Sequence, residues 1–110
     1  MTSDEQAFLE LLAFVYLENA QAAKARVLLE ALAGMDQAAP RWRNSLAWAC
    51  LELNQPEDAL KALAPLLAGD RAAPAADRRA TAYLRGQALM RLGKTSEARA
   101  ALADFVPVSA

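Results

Sequence analysis

An internal repeat of about 34 residues constrains this 110-residue chain more than any other feature of its sequence. Ala13 and Ala47 are 34 residues apart, and so are Ala25 and Ala59. Leucines recur at the same offset, at Leu29 and Leu63 and at Leu32 and Leu66. After five extra residues, a third copy places Gly86, Ala98 and Leu102 at the corresponding positions. A fixed period of this length indicates stacked copies of one supersecondary unit.

The composition predicts that each unit is helical. The chain contains 28 Ala and 18 Leu but no Ile, four Val and three Thr, so it is rich in helix formers and poor in strand formers. A short turn divides each unit into two helices. At this turn the second and third units have Asn54 and Gly93, which suit the left-handed conformation that ends a helix. The first unit has Ala20 at the same turn. We therefore predict an all-α fold of three stacked helical hairpins, with helices at residues 4–18, 21–34, 39–53, 56–68, 77–92 and 95–106.

The repeats define a single domain over residues 1–110. The predicted repeat boundaries are about 6–39, 40–73 and 79–110. The five extra residues fall within residues 69–77, which we predict to be a loop, with Asp77 capping the helix that follows.

The residue inventory argues against an enzyme. The chain has no histidine and one cysteine, which excludes His-based acid–base catalysis and a thiolate zinc cage. Neither GxGxxG nor GxxxxGK[ST] occurs, so the common phosphate-binding loops are missing. Carboxylate chemistry stays formally possible, although no pair of acids stands out. We expect no catalytic residue, no metal and no cofactor.

Charge and hydropathy limit the partners and the compartment. The net charge of −1 does not indicate a nucleic-acid binder. No apolar run approaches the 18 residues of a membrane span. The first residues are acidic, unlike those of a signal peptide, and a lone cysteine favours a reducing compartment. We therefore expect a cytoplasmic protein.

The spacing of small residues resembles that of the tetratricopeptide repeat. That family has a 34-residue period, a small residue early in each of its two helices, and Gly or Asn at the turn between them. The resemblance implies a curved stack in which the first helix of each hairpin lines a concave, ligand-binding side. Carried onto this sequence, it implies the partner-binding residues Leu11, Phe14, Leu17, Arg41, Asn44, Trp48, Leu51, Tyr83, Leu84, Gln87 and Met90.

Two interpretations of this stripe stay open. Apolar residues at helical spacing are more often core than binding site. The first helix, however, is apolar nearly all round and has neighbours on one side only, so a partner helix or a second copy of the chain is expected to cover the rest. Under the second interpretation we expect Phe14, Trp48, Leu51 and Tyr83 to line one continuous groove that the partner helix or the second copy covers.

A more specific resemblance suggests a function. The segments at residues 5–13 and 25–32, together with the chain length, resemble the small tetratricopeptide chaperones of bacterial type III secretion, in particular the YscY (SctY) family and, second, the YscG-like needle chaperones. This implies binding of a small secreted or export-apparatus protein, either YscX-like (SctX-like) or a needle subunit, by burial of its amphipathic helix. A homodimer is possible when that partner is absent. The alternative is a generic tetratricopeptide scaffold or adaptor module.

Overall fold

The computed structural model describes residues 1–36, 39–68 and 74–105. Within these ranges the chain forms six α-helices and no strand, which confirms the all-α fold class and each of the six predicted helices to within two residues at either end. None of these helices is long and apolar enough to cross a membrane. The helices are α1 (Ser3–Glu18), α2 (Ala22–Met35), α3 (Pro40–Glu52), α4 (Pro56–Ala68), α5 (Ala75–Arg91) and α6 (Thr95–Phe105).

The same hydrogen-bonded turn ends α1, α3 and α5. The residue at the turn has a positive φ, 58° at Ala20, 57° at Asn54 and 76° at Gly93. The next backbone N–H donates to the carbonyl five residues earlier, in the pairs Gln21–Tyr16, Gln55–Cys50 and Lys94–Leu89, at 2.8, 2.8 and 2.9 Å. This is the Schellman motif, and it confirms the left-handed conformation predicted for Asn54 and Gly93. Ala20 adopts that conformation although a Cβ makes it unfavourable by about 1–2 kcal/mol.

Prolines mark the starts of three helices. Pro40 and Pro56 are the first residues of α3 and α4, where a missing N–H leaves no helical hydrogen bond unmade. Pro74 precedes α5, which begins at Ala75, so residues 75–77 are helical and not part of a loop. Asp77 therefore lies inside the first turn, and the prediction that it caps the helix is wrong. The rest of the predicted loop, residues 69–73, lies outside the described residues.

Neighbouring helices in the sequence are also neighbours in space. Each helix packs against the next one along the chain, and α3 packs in addition against α5. Across the described residues, α1 and α3 do not approach each other in the way that α3 and α5 do. The first hairpin is therefore joined to the second mainly through α2.

The recurring small residues lie in the core. Their side chains or backbones are buried in all three hairpins, at Ala13, Ala47 and Gly86 in the first helices and at Ala25, Ala59 and Ala98 in the second. Leu29, Leu32 and Leu63 are also fully buried, and the burial of each stabilises the fold by about 1.5–3 kcal/mol. A smaller cluster in the third hairpin reaches the main core through Leu60, which packs against both.

Gly86 and Gly34 form a matched pair for testing the close helix approach. A Cβ at Gly86 would lie 2.5 Å from Cγ and Cδ2 of Leu102 on α6, whereas a Cβ at Gly34 would meet nothing within 4 Å. Overpacking costs about 1–3 kcal/mol, and alanine is favoured over glycine inside a helix by up to about 1 kcal/mol. We predict that Gly86→Ala lowers the free energy of unfolding and that Gly34→Ala leaves it unchanged or raises it, measured by urea denaturation. Equal effects of the two changes would contradict the packing of α5 on α6.

Candidate functional site

An open cleft of about 390 Å³ lies between α1 and α3. These two helices diverge in the sense that they lack the close packing that joins α3 to α5. Its walls come from α1 and from the start of α3, and Leu29 of α2 contributes to its lining. Most of the groups that face it are apolar, so water inside it gains few hydrogen bonds. The lining residues are Ala7, Glu10, Leu11, Ala13, Phe14, Leu17, Leu29, Arg41 and Ser45.

The opposite faces of α1 have different roles. Ala13 and Leu17 are buried and attach the helix to the core. Phe8, Leu11 and Phe14 are 62%, 61% and 52% exposed, so large apolar groups stand in water on the other side. Side chains this large and exposed, next to an apolar cleft, are typical of a surface that another molecule covers.

Glu10 provides a polar connection across the cleft. Its Oε1 lies 2.9 Å from Nε of Arg41, and its Oε2 accepts a 2.8 Å hydrogen bond from Nε1 of Trp42. The Arg41 guanidinium also lies 6.0 Å from the centre of the Trp42 ring. Both carboxylate oxygens of Glu10 are therefore engaged by α3, and they connect two helices that do not pack closely against each other.

The predicted partner-binding residues divide into three groups. Leu11, Phe14, Leu17 and Arg41 line the cleft, although Leu17 is itself buried. Asn44 and Leu51 are buried within the chain, so they pack beneath the surface residues and offer little accessible area to a partner. The others lie on α3 and α5 outside the cleft lining: Tyr83 and Met90 are exposed, and Trp48, Leu84 and Gln87 are partly buried.

Trp48 combines a core contact with a surface hydrogen bond. Its ring packs against the main hydrophobic core, while Nε1 donates to Glu52 Oε1 at 3.2 Å. Leu84 likewise packs against that core. Both residues therefore contribute to stability, whether or not their remaining exposed surface contacts a partner.

Asn44 joins α3 to α5 through a buried polar network. Its Oδ1 accepts a hydrogen bond from the Thr81 hydroxyl at 2.8 Å, and its Nδ2 donates to the backbone carbonyl of Asp77 at 3.1 Å. Thr81 Oγ1 also lies 2.9 Å from that carbonyl. Hydrogen bonds in a buried position are expensive to lose because the groups left behind have no water to replace them.

A second polar cluster lies between α2, α3 and α4. Arg26 forms ion pairs with Glu30 at 2.6 Å and with Asp58 at 3.0 Å, and it also donates to the Gln55 side chain. Cys50 lines the same small pocket. Burial raises the pKa of its thiol, although the nearby positive charge of Arg26 opposes the shift. A protonated, buried thiol is a poor nucleophile, so this cluster is best understood as an electrostatic connection between helices.

Sequence reasoning missed several residues that shape the cleft. The repeat gives no role to Glu10, because its two partners lie 31 and 32 residues away on another helix and no local pattern connects them. Ala7 and Ser45 were also missed; Ala7 could have been found, since it lies one helical turn from Leu11 on the same face. Among the described residues, no group of three His, Cys, Asp or Glu side chains could hold a metal ion.

Replacing Asn44 separates a structural role from a binding role. Asn44→Ala removes both hydrogen bonds of a side chain that is only 7% exposed. We predict that it lowers the free energy of unfolding by about 1–3 kcal/mol, measured by chemical denaturation of the isolated chain. Unchanged stability combined with weaker partner binding would instead support Asn44 as a direct contact.

No protein-family model matches this chain, and no curated protein matches it in sequence. The resemblance to tetratricopeptide proteins therefore depends on the 34-residue spacing and on the side chains and turns at the repeated positions.

Proposed function

We propose that this chain is a three-repeat helical array of the tetratricopeptide type and that it binds an amphipathic helix of a partner protein in the cleft between α1 and α3. The observation that carries the proposal is the open apolar cleft beside the exposed Leu11 and Phe14. Helix-in-groove recognition uses apolar anchors at i, i+3, i+4 and i+7, and a cleft lined by two diverging helices accepts such anchors.

The identical turns support the repeat architecture. Three Schellman motifs occur at equivalent places of the 34-residue alignment, and the hydrogen-bond acceptors Tyr16, Cys50 and Leu89 are residues that this alignment superimposes. The small residues at the two repeated positions are buried in every hairpin. Local structure and burial thus follow the same period as the sequence, as expected for stacked copies of one unit.

The divergence of α1 from α3 supports the position of the binding site. In a regular stack, equivalent helices of successive hairpins pack side by side, as α3 and α5 do. The corresponding space between α1 and α3 is partly open and is lined by large apolar side chains. A partner's side chains inserted there would complete the packing and would remove Leu11 and Phe14 from water, at about 25 cal/mol per Å² of apolar surface buried.

We propose binding and not catalysis as the activity of this site. The charged groups lining the cleft, Glu10 and Arg41, are engaged with each other. In the biological setting, we propose a chaperone of bacterial type III secretion that keeps a small export component, YscX-like or a needle subunit, from assembling early. The resemblance of residues 5–13 and 25–32 to that group supports this choice. Affinity capture from the native host, with mass spectrometry, identifies the partner; recovery of a different class of protein would favour the adaptor alternative.

Two phenylalanines on α1 allow a sharp test of the cleft. Phe14 lines it and Phe8 does not, yet both are more than half exposed and lie on the same helix. Truncating an aromatic residue at the centre of an interface costs about 2 kcal/mol or more, which is about 30-fold in affinity. We predict that Phe14→Ala weakens binding of the captured partner by about 30-fold and that Phe8→Ala changes it by less than about threefold.

The measurement is isothermal titration of the purified partner, with circular dichroism and urea denaturation of each variant as the stability control. Both variants are expected to keep the stability of the parent chain, because neither side chain is buried. Equal losses of affinity from Phe8→Ala and Phe14→Ala would show that the partner covers the outer face of α1 and does not enter the cleft. An unchanged affinity for Phe14→Ala would contradict the proposal.

A further inference from the structure

Acidic residues bracket the apolar surface of α1. Asp4 and Glu18 are exposed and lie seven residues before and seven residues after Leu11, and a spacing of seven places residues on nearly the same face of a helix. This line from Asp4 through Leu11 to Glu18 runs along the rim of the cleft. Phe14, three residues after Leu11, lies on its cleft side, and Phe8, three residues before Leu11, lies on the other side, where the partner does not reach. At 1.5 Å per residue, the two carboxylates are about 21 Å apart along the axis.

These two acids differ from the other two acids of α1. Glu5 is engaged in a capping box, in which the Thr2 backbone N–H donates to its carboxylate at 2.9 Å. Glu10 is paired with Arg41 and Trp42. In the described part of the chain, by contrast, Asp4 and Glu18 form no ion pair. Residues 1–18 contain no Lys or Arg, so the positive charge nearest to Asp4 on this helix is the N-terminal end of α1 itself.

The charge pattern disfavours a symmetric pair of chains as the occupant of this face. In a two-fold dimer the same patch meets itself. An antiparallel contact of two α1 helices would place Asp4 opposite Glu18 of the other copy, and a parallel contact would place each acid opposite its equivalent. Like charges face each other in both arrangements, which is unfavourable at an interface that excludes water.

We infer that the cleft and the adjacent face of α1 select an amphipathic partner helix whose apolar stripe carries Lys or Arg at both ends, about four helical turns apart. The inference rests on the proposed function, since it defines the chemistry of the helix that the cleft accepts. Apolar anchors enter the cleft beside Leu11 and Phe14, and the basic groups lie against Asp4 and Glu18. The apolar contacts supply most of the affinity, and the rim charges set the helix register and raise the association rate.

Three synthetic helical peptides of about 18 residues test the inference on the full chain. The first has a Leu stripe with Lys at both ends, the second has the same stripe with Glu at both ends, and the third is a scramble of the first that has no apolar stripe. Fluorescence anisotropy gives the affinity of each at about 25 mM and 250 mM salt. We expect the Lys peptide to bind at least tenfold more tightly than the other two at low salt, and its advantage over the Glu peptide to shrink at high salt because the rim charges are screened.

Charge reversal on the protein provides the decisive comparison. The double variant Asp4→Lys with Glu18→Lys is expected to prefer the Glu peptide. Glu57→Lys with Glu97→Lys serves as the matched control, because it makes the same change of net charge at exposed residues of α4 and α6, outside the cleft. The control is expected to keep the preference of the parent chain. A reversal of preference in both double variants would overturn the inference, since it would reflect net charge alone.

The remaining outcomes separate this inference from the proposed function. Equal binding of the Lys and Glu peptides, with Phe14→Ala weakening both, would overturn the basic-partner inference and leave the cleft as the binding site. Binding of the scrambled peptide as tightly as the first would also overturn it. If no peptide binds, the proposed function fails together with the inference. Self-association of the chain that disappears in the Asp4→Lys, Glu18→Lys variant would assign this face to α5 of a second copy, which carries four Arg and one Asp, and would overturn the separate partner.

Discussion

The close approach of paired helices at small residues is the contact on which the rest of this structure depends. Alanine at positions such as Ala25 and Ala59 leaves room for the backbone of a neighbouring helix, and both residues are fully buried. At Gly86 the two helices approach even more closely, since a methyl group there would collide with Leu102. With the helices this near, the larger residues Leu29 and Leu63 are fully buried in the core, and close packing of such side chains stabilises a small helical domain.

The candidate site arises where this close approach is interrupted. Because α1 packs on α2 but diverges from α3, apolar side chains that would otherwise be covered by a neighbouring helix remain at the surface. Glu10 spans the divergence by holding both Arg41 and Trp42. The packing of Ala13 and Leu17 attaches α1 to the core, and the Glu10 pairing adds a polar contact to α3 that leaves the apolar part of the cleft open.

Much of the fold could be predicted from the sequence because its signals are local. Helix formers, prolines at helix starts and turn residues such as Asn54 and Gly93 act within a few positions, and the repeat period aligns them. The cleft was harder to predict, since it depends on the separation between α1 and α3, which the sequence does not specify locally. The alignment treats Trp48 as equivalent to Phe14, but it cannot show that Phe14 is exposed while Trp48 packs against the core, or that Asn44 is bonded to Thr81 on α5. Such contacts join residues more than 30 positions apart and have no periodic signature.

Hydrogen–deuterium exchange of the chain, alone and with its captured partner, tests the central claim most directly. If a partner helix fills the cleft, amide exchange should slow by about tenfold or more in α1 and in the first turn of α3, and should change little in α6. Local opening of a helix becomes rarer when its exposed face is covered, which is the physical basis of this expectation. Protection confined to α5 and α6, with α1 exchanging as it does in the free chain, would contradict the assignment of the cleft as the binding site.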